Sequence, residues 1–252
     1  MTIALILVIT AVLCVALAGM IREAPWLFYL LAVSTVLILI AGVYGSIGGN
    51  WWKPLILLVR RCTLALALFT VVMYIGVLPK GSKLGMRMRS VRAELSIIAW
   101  ILCMGHMCLY LAHYFVRAFV IAARPNLLIA FVVAVALFVL LLILGVTSFT
   151  FVKRRISART WKRIQILAYP FFLLVYVHLM LMLAPSALSG GVSGTSASVD
   201  IVVYTVVFAA YLVLRLWRYA VDRKAGLFTV GGVSATDQNI GGSGEDASSA
   251  LA

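Results

Sequence analysis

The sequence predicts an all-α fold, a polytopic transmembrane helical bundle of about seven spans. Three observations predict it. Hydrophobic residues make up 65% of the chain and charged residues only 11%, against about 25% charged in an ordinary soluble protein. Apolar runs of roughly 20 residues recur, which is the length needed to cross the hydrocarbon core. The basic residues collect between those runs rather than within them. The formal net charge of +14 is therefore accounted for by positive cytoplasmic loops and does not point to nucleic acid. A soluble domain could not hide this much apolar surface, so membrane lipid is the first partner.

The runs place spans at residues 3–20, 27–47, 55–78, 94–116, 126–151, 163–183 and 200–219. The first imitates a signal peptide, because Ala16-Leu17-Ala18 resembles a cleavage site. It lacks a positive leading segment, so a retained helix is expected. Residues 1–26 are thus an extra N-terminal helix ahead of a membrane domain over 27–220. Pro170 is a single kink candidate in the sixth span.

Loop charge sets the orientation. Lys80, Lys83, Arg87, Arg89 and Arg92 lie between the third and fourth spans. Lys153, Arg154, Arg155, Arg159, Lys162 and Arg163 lie between the fifth and sixth, and Arg215, Arg218, Arg223 and Lys224 close the seventh. With alternating spans all three groups fall on one side, the cytoplasm. The opposite side has Lys53, Arg117, Arg124 and a Gly/Ser stretch at 189–198. The chain is then a multi-pass cell-membrane protein with its N-terminus outside and C-terminus cytoplasmic. Residues 221–252 read as a disordered cytoplasmic tail, because from Thr229 onward they are Gly, Ser, Ala and a few acids. Within it Gly232-Val233-Ser234-Ala235-Thr236 resembles a covalent-flavin attachment motif but lacks the glycine between Ser and Ala, and a flexible tail is the expectation.

The chemistry-bearing residues inside the spans are few. All three histidines, His106, His113 and His178, lie in apolar runs, where an ionisable group is functional by default. His106 follows Arg92 by 14 residues and His178 follows Arg163 by 15, so the two imidazoles lie about 21 and 22 Å from the same charged edge. Two rings at one depth on separate helices satisfy what a six-coordinate haem needs. The alternative is that each is a polar residue joining helices by hydrogen bonds. His113 sits seven residues beyond His106, on the same face and about 10 Å further out. It would serve a second haem or a quinone site, or meet water and headgroups at the interface. Arg60 and Arg61 lie about 28 Å from the cytoplasmic edge. One of them, or Arg117 or Arg124, would pair with a haem propionate or snorkel to the outer headgroups. Cys14, Cys62, Cys103 and Cys108 form no CxxC pair or zinc spacing and read as small buried hydrophobes.

Three stretches carry a family resemblance. They are Arg92-Ala93-Glu94-Leu95-Ser96 followed by Gly105-His106-Met107-Cys108-Leu109-Tyr110; Gly145-Val146-Thr147-Ser148; and Trp161-Lys162-Arg163-Ile164-Gln165 followed by Tyr169 and His178. In order and spacing they are similar to the ferric reductase-like transmembrane domain family, above all to the haem-binding membrane subunits of bacterial periplasmic methionine sulfoxide reductase systems. The resemblance covers residues 27–220, and the first span is an addition to that family's usual six. It implies b-type haem, transmembrane electron transfer, and His106 and His178 as the iron ligands. Gln165 stands where the family usually has the first histidine of the later helix. An amide is a poor haem ligand, so the resemblance reaches one haem and not a stacked pair.

No GxGxxG following a strand and no Walker loop occurs, so no nucleotide-binding domain is read in the chain. The expected function is an oxidoreductase electron-transfer subunit. Its donor would be a quinol or a cytoplasmic flavin reductase, with quinone or FMN as a further cofactor beside haem b. Its acceptor would be an extracytoplasmic protein or ferric iron. The rival expectation is a non-redox permease or membrane scaffold whose histidines are interhelical hydrogen-bond residues.

Overall fold

A computed structural model describes the backbone over residues 2–79, 81–116 and 125–224, and the side chains of these residues except 2, 111–116, 125–126 and 224. Among the described residues all regular structure is helical, and six helices are long and apolar enough to cross a membrane. The all-α expectation holds.

The first two spans are α1 (Thr2–Glu23) and α2 (Pro25–Val43), separated by one residue. Pro25 stands at the start of α2, where its missing N–H is not needed and its fixed φ favours the helix. At the far end Gly45 adopts φ +76°. Its N–H bonds the Gly42 carbonyl, and the Ser46 N–H bonds the Ala41 carbonyl. This is a Schellman closure, which uses two carbonyls that the helix end leaves open.

The expected third span, 55–78, is not one helix. A π-helical turn at Ile56–Arg60 leads through Arg61 and Cys62 into α3 (Thr63–Ile75), only 13 residues long. The Arg61 N–H reaches back to the Ile56 carbonyl at 3.0 Å, and the Cys62 N–H to Val59 at 2.9 Å. Cys62 then takes a left-handed conformation, φ +58°, which costs a non-glycine residue about 1–2 kcal/mol. The interruption takes Arg60 and Arg61 out of regular α-helix and leaves the Arg60 carbonyl available to another part of the chain.

The charged connection after α3 is itself helical, α4 (Lys83–Ser90), capped by Ser82. Next come α5 (Arg92–Val116) and α6 (Pro125–Ser148). The short α7 (Thr150–Lys153) and α8 (Ala158–Ile166) precede α9 (Ala168–Leu188). The sixth expected span is thus broken at Leu167. Pro170, in the first turn of α9, has no N–H to give the Ile166 carbonyl, which is consistent with the interruption at Leu167. The last helix, α10, runs Gly191–Lys224. It absorbs most of the Gly/Ser stretch that reads as a loop in the sequence. The described part of the C-terminal segment from Leu212 holds an Arg218–Asp222 ion pair at 3.1 Å. The rest of the expected tail lies outside the described residues.

The core lies among α1, α2, α3 and α5, where Leu39, Val59, Ala67, Val91, Leu95 and Ala99 are buried. Gly105 allows α5 to approach α2, since a Cβ there would stand 2.7 Å from a Val36 methyl. A second cluster joins Met73 and Val77 to Phe172 and Tyr211. Within it the Tyr74 hydroxyl donates to the Val207 carbonyl at 2.7 Å. The outer faces stay apolar. Leu128, Val132, Val135, Val139, Ile143 and Val146 form an exposed stripe along α6. That pattern suits lipid, because the helices satisfy their own backbone bonds and no water is needed.

Candidate functional site: two imidazoles beside an interrupted span

His106 occupies the middle of α5, and the interrupted span supplies its partner. Its Nδ1 lies 2.6 Å from the Arg60 carbonyl oxygen. A carbonyl only accepts, so Nδ1 carries the hydrogen and Nε2 keeps its lone pair. The Tyr110 ring stands one turn on, with its centroid 4.7 Å from that of the imidazole. The Arg60 guanidinium lies over Tyr110 at 6.0 Å. The π-helical turn therefore fixes one imidazole twice, by its main chain and through the Arg60–Tyr110 contact.

His178, on α9, is close enough to His106 for the two rings to interact electrostatically. Its Nδ1 is buried with no hydrogen-bond partner, and the Ala130 carbonyl of α6 lies against the ring. Helix α6 packs against both α5 and α9, while those two make little direct backbone contact. The histidine-bearing helices are thus held by a common neighbour, with side chains between them.

A buried polar nitrogen without a full hydrogen bond costs about 1–3 kcal/mol, so the bonding of the His178 ring is left incomplete by its protein neighbours. The donor set suits haem iron in its chemistry, since neutral imidazole is an established axial ligand and an N–H···O=C bond at the other ring nitrogen is the usual way of orienting it. Among the described residues no three His, Cys, Asp or Glu side chains gather as they would around a bare ion. Haem requires only the two.

Arg60 joins this site and Arg61 does not. Arg61 is exposed and its charge acts on Asp200 of α10. Asp200, a span-end acid by sequence, therefore has a basic neighbour. Glu94, the other one, lies near Tyr29 and keeps a buried oxygen without a partner. The backbone of α5 passes through His113, but that side chain, like Arg117 and Arg124, lies outside the described residues. The Arg60 carbonyl is invisible as a partner in the sequence, because main-chain groups freed by a helix break leave no residue-type signal. Ala130 is equally silent.

Closer to the start of α5, a cleft with about 580 Å³ of empty space, counting its open mouth, lies among α3, α5, α6, α8 and α9. Arg92, Ser96, Trp100, Ser148, Gln165 and Phe172 are in its lining. Trp100 Nε1 and Gln165 Nε2 are buried there without partners. Trp100 precedes His106 by six residues, about 9 Å of helical rise.

No family model and no solved structure matches the chain. It is similar to an uncharacterized protein of Treponema pallidum (strain Nichols), 38% identical over 224 residues. The match takes in 87% of this chain and 61% of that protein, so the chain spans about three-fifths of its relative's length.

Proposed function

We propose that this protein binds one haem b between His106 and His178 and passes electrons across the membrane. The observation that carries this reading is a pair of imidazoles on α5 and α9 close enough to interact electrostatically, with His106 oriented by the Arg60 carbonyl and the His178 Nδ1 buried without a regular hydrogen bond. Haem would supply one-electron chemistry. The chain's residues do the rest. His106 and His178 would hold the iron from α5 and α9, and Arg60 would meet a propionate. The apolar outer faces keep water away. The inner cleft, with Trp100 and Gln165 in its wall, is where a quinol ring or the flavin of a cytoplasmic reductase would dock. Electrons would leave on the outer side to a protein acceptor or ferric iron.

The interrupted third span favours a second reading, a non-redox permease, because transporters place discontinuous helices at their substrate sites. The imidazoles would then be interhelical hydrogen-bond residues. A reduced-minus-oxidised absorbance spectrum of protein purified from haem-supplemented cells separates the two. A b-type signal supports electron transfer, and colourless protein supports the permease.

A further inference from the structure

The interruption that holds His106 also brings together two thiols from successive spans. Cys62 Sγ–H donates to Cys103 Sγ at 3.6 Å. The residues are 41 positions apart, so no spacing motif announces them. Cys62 sits at the break in its left-handed conformation and at the N-terminal end of α3. Cys103 lies on α5, one turn before His106. Strained backbone of this kind concentrates at functional positions, and here the strained residue carries one of the two sulfurs.

We propose that Cys62 and Cys103 form a redox-active dithiol/disulfide pair that exchanges with an external disulfide. Cys62 is the attacking thiol. It lies in the interrupted segment next to exposed Arg61, at the N-terminal end of α3. Cys103, on regular α5, is the resolving thiol. In the first step Cys62 Sγ bonds one sulfur of the incoming disulfide, whose S–S bond breaks. The departing thiolate takes the proton that Cys62 loses. In the second step Cys103 Sγ bonds Cys62 Sγ and expels the other half as a thiolate, which takes the Cys103 proton. The chain's two thiols lose two electrons, and the external disulfide becomes two thiols. Arg61, Asp200 and Tyr204 surround the break, since Asp200 interacts with Arg61, and Tyr204 with both Asp200 and Cys62. Closing the bond ties the broken span to α5 within one turn of His106, and within two residues of the carbonyl that orients it. The pair rests on thiol geometry alone and stands whether or not the imidazoles take haem.

The test uses the full chain in lipid nanodiscs, equilibrated across a series of oxidised-to-reduced glutathione ratios, acid-quenched, alkylated and mapped by peptide mass spectrometry. The expected result is a Cys62–Cys103 cross-linked peptide whose fraction rises with the ratio and returns to zero on reduction, while Cys14 and Cys108 stay free. Cys103→Ser should trap glutathione on Cys62, and Cys62→Ser should leave Cys103 unmodified. Glutathionylated Cys62 in the wild type with no cross-link at any ratio would overturn the proposal, as would cross-links made instead to Cys14 or Cys108. The same cross-link in colourless protein would remove the haem reading and leave this one standing.

Discussion

Replacing Gly145 by alanine perturbs the packing of α6 on α5 at a single atom. An ideal Cβ at Gly145 would stand 2.1 Å from both Cδ1 and Nε1 of Trp100, and 2.7 Å from its Cγ. Ordinary van der Waals contact begins near 3.4 Å, so the indole must retreat by about 1.3 Å or α6 must move away. Retreat is obstructed, because Phe149 packs edge-on against the same indole at 5.7 Å. Overpacking of this kind costs about 1–3 kcal/mol. We expect Gly145→Ala to lose that much stability, measured by reversible SDS unfolding in mixed micelles and followed by far-ultraviolet circular dichroism. Trp100→Phe supplies a smaller ring, so the double variant should lose less than the two single losses added, with a coupling of about 0.5–3 kcal/mol. Gly145→Ala at wild-type stability, within about 0.5 kcal/mol, would refute the close approach of Gly145 to Trp100 in the wall of the cleft.

Arg60→Gln should lower haem retention and shift the midpoint potential more than Arg61→Gln does, because only Arg60 lies at the His106–Tyr110 pair. Potentiometric titration of both variants checks this, and equal effects would count against Arg60 as the propionate partner. Ser82→Ala removes the Oγ that accepts the Gly85 N–H at 3.0 Å and should cost about 1 kcal/mol of stability. The loss should appear in hydrogen exchange as faster opening of α4 with α5 unaffected. Ser157→Ala, which deletes the matching cap on the Thr160 N–H at 3.1 Å, should do the same to α8.

The fold was legible because span length and apolarity are imposed by the bilayer rather than by neighbouring helices. Residues 27–47 and 94–116 needed no tertiary knowledge to be read as helices. Span 55–78 was misjudged for the same reason. Its hydropathy is continuous, and what breaks it is a set of main-chain bonds at Arg61 and Cys62 that hydropathy does not encode. Two adjacent arginines within an apolar run are the available signal, and they point to charge as readily as to a backbone break. Helical rise alone assigns His106 and His178 a common depth, and the two rings are close enough to interact electrostatically. The Cys62–Cys103 pair was out of reach, because it forms only when the break turns one thiol toward a helix 41 residues away. The start of α10 at Gly191 was missed because glycine and serine disfavour isolated helix, a preference that the membrane bundle overrides.

Pyridine-haemochrome quantitation on purified wild type, His106→Ala, His113→Ala and His178→Ala tests the haem proposal most directly. The account predicts pigment in the wild type, its loss in the His106 and His178 variants, and its retention in the His113 variant. Pigment that survives both of the first two substitutions, or that vanishes only with His113, would contradict it.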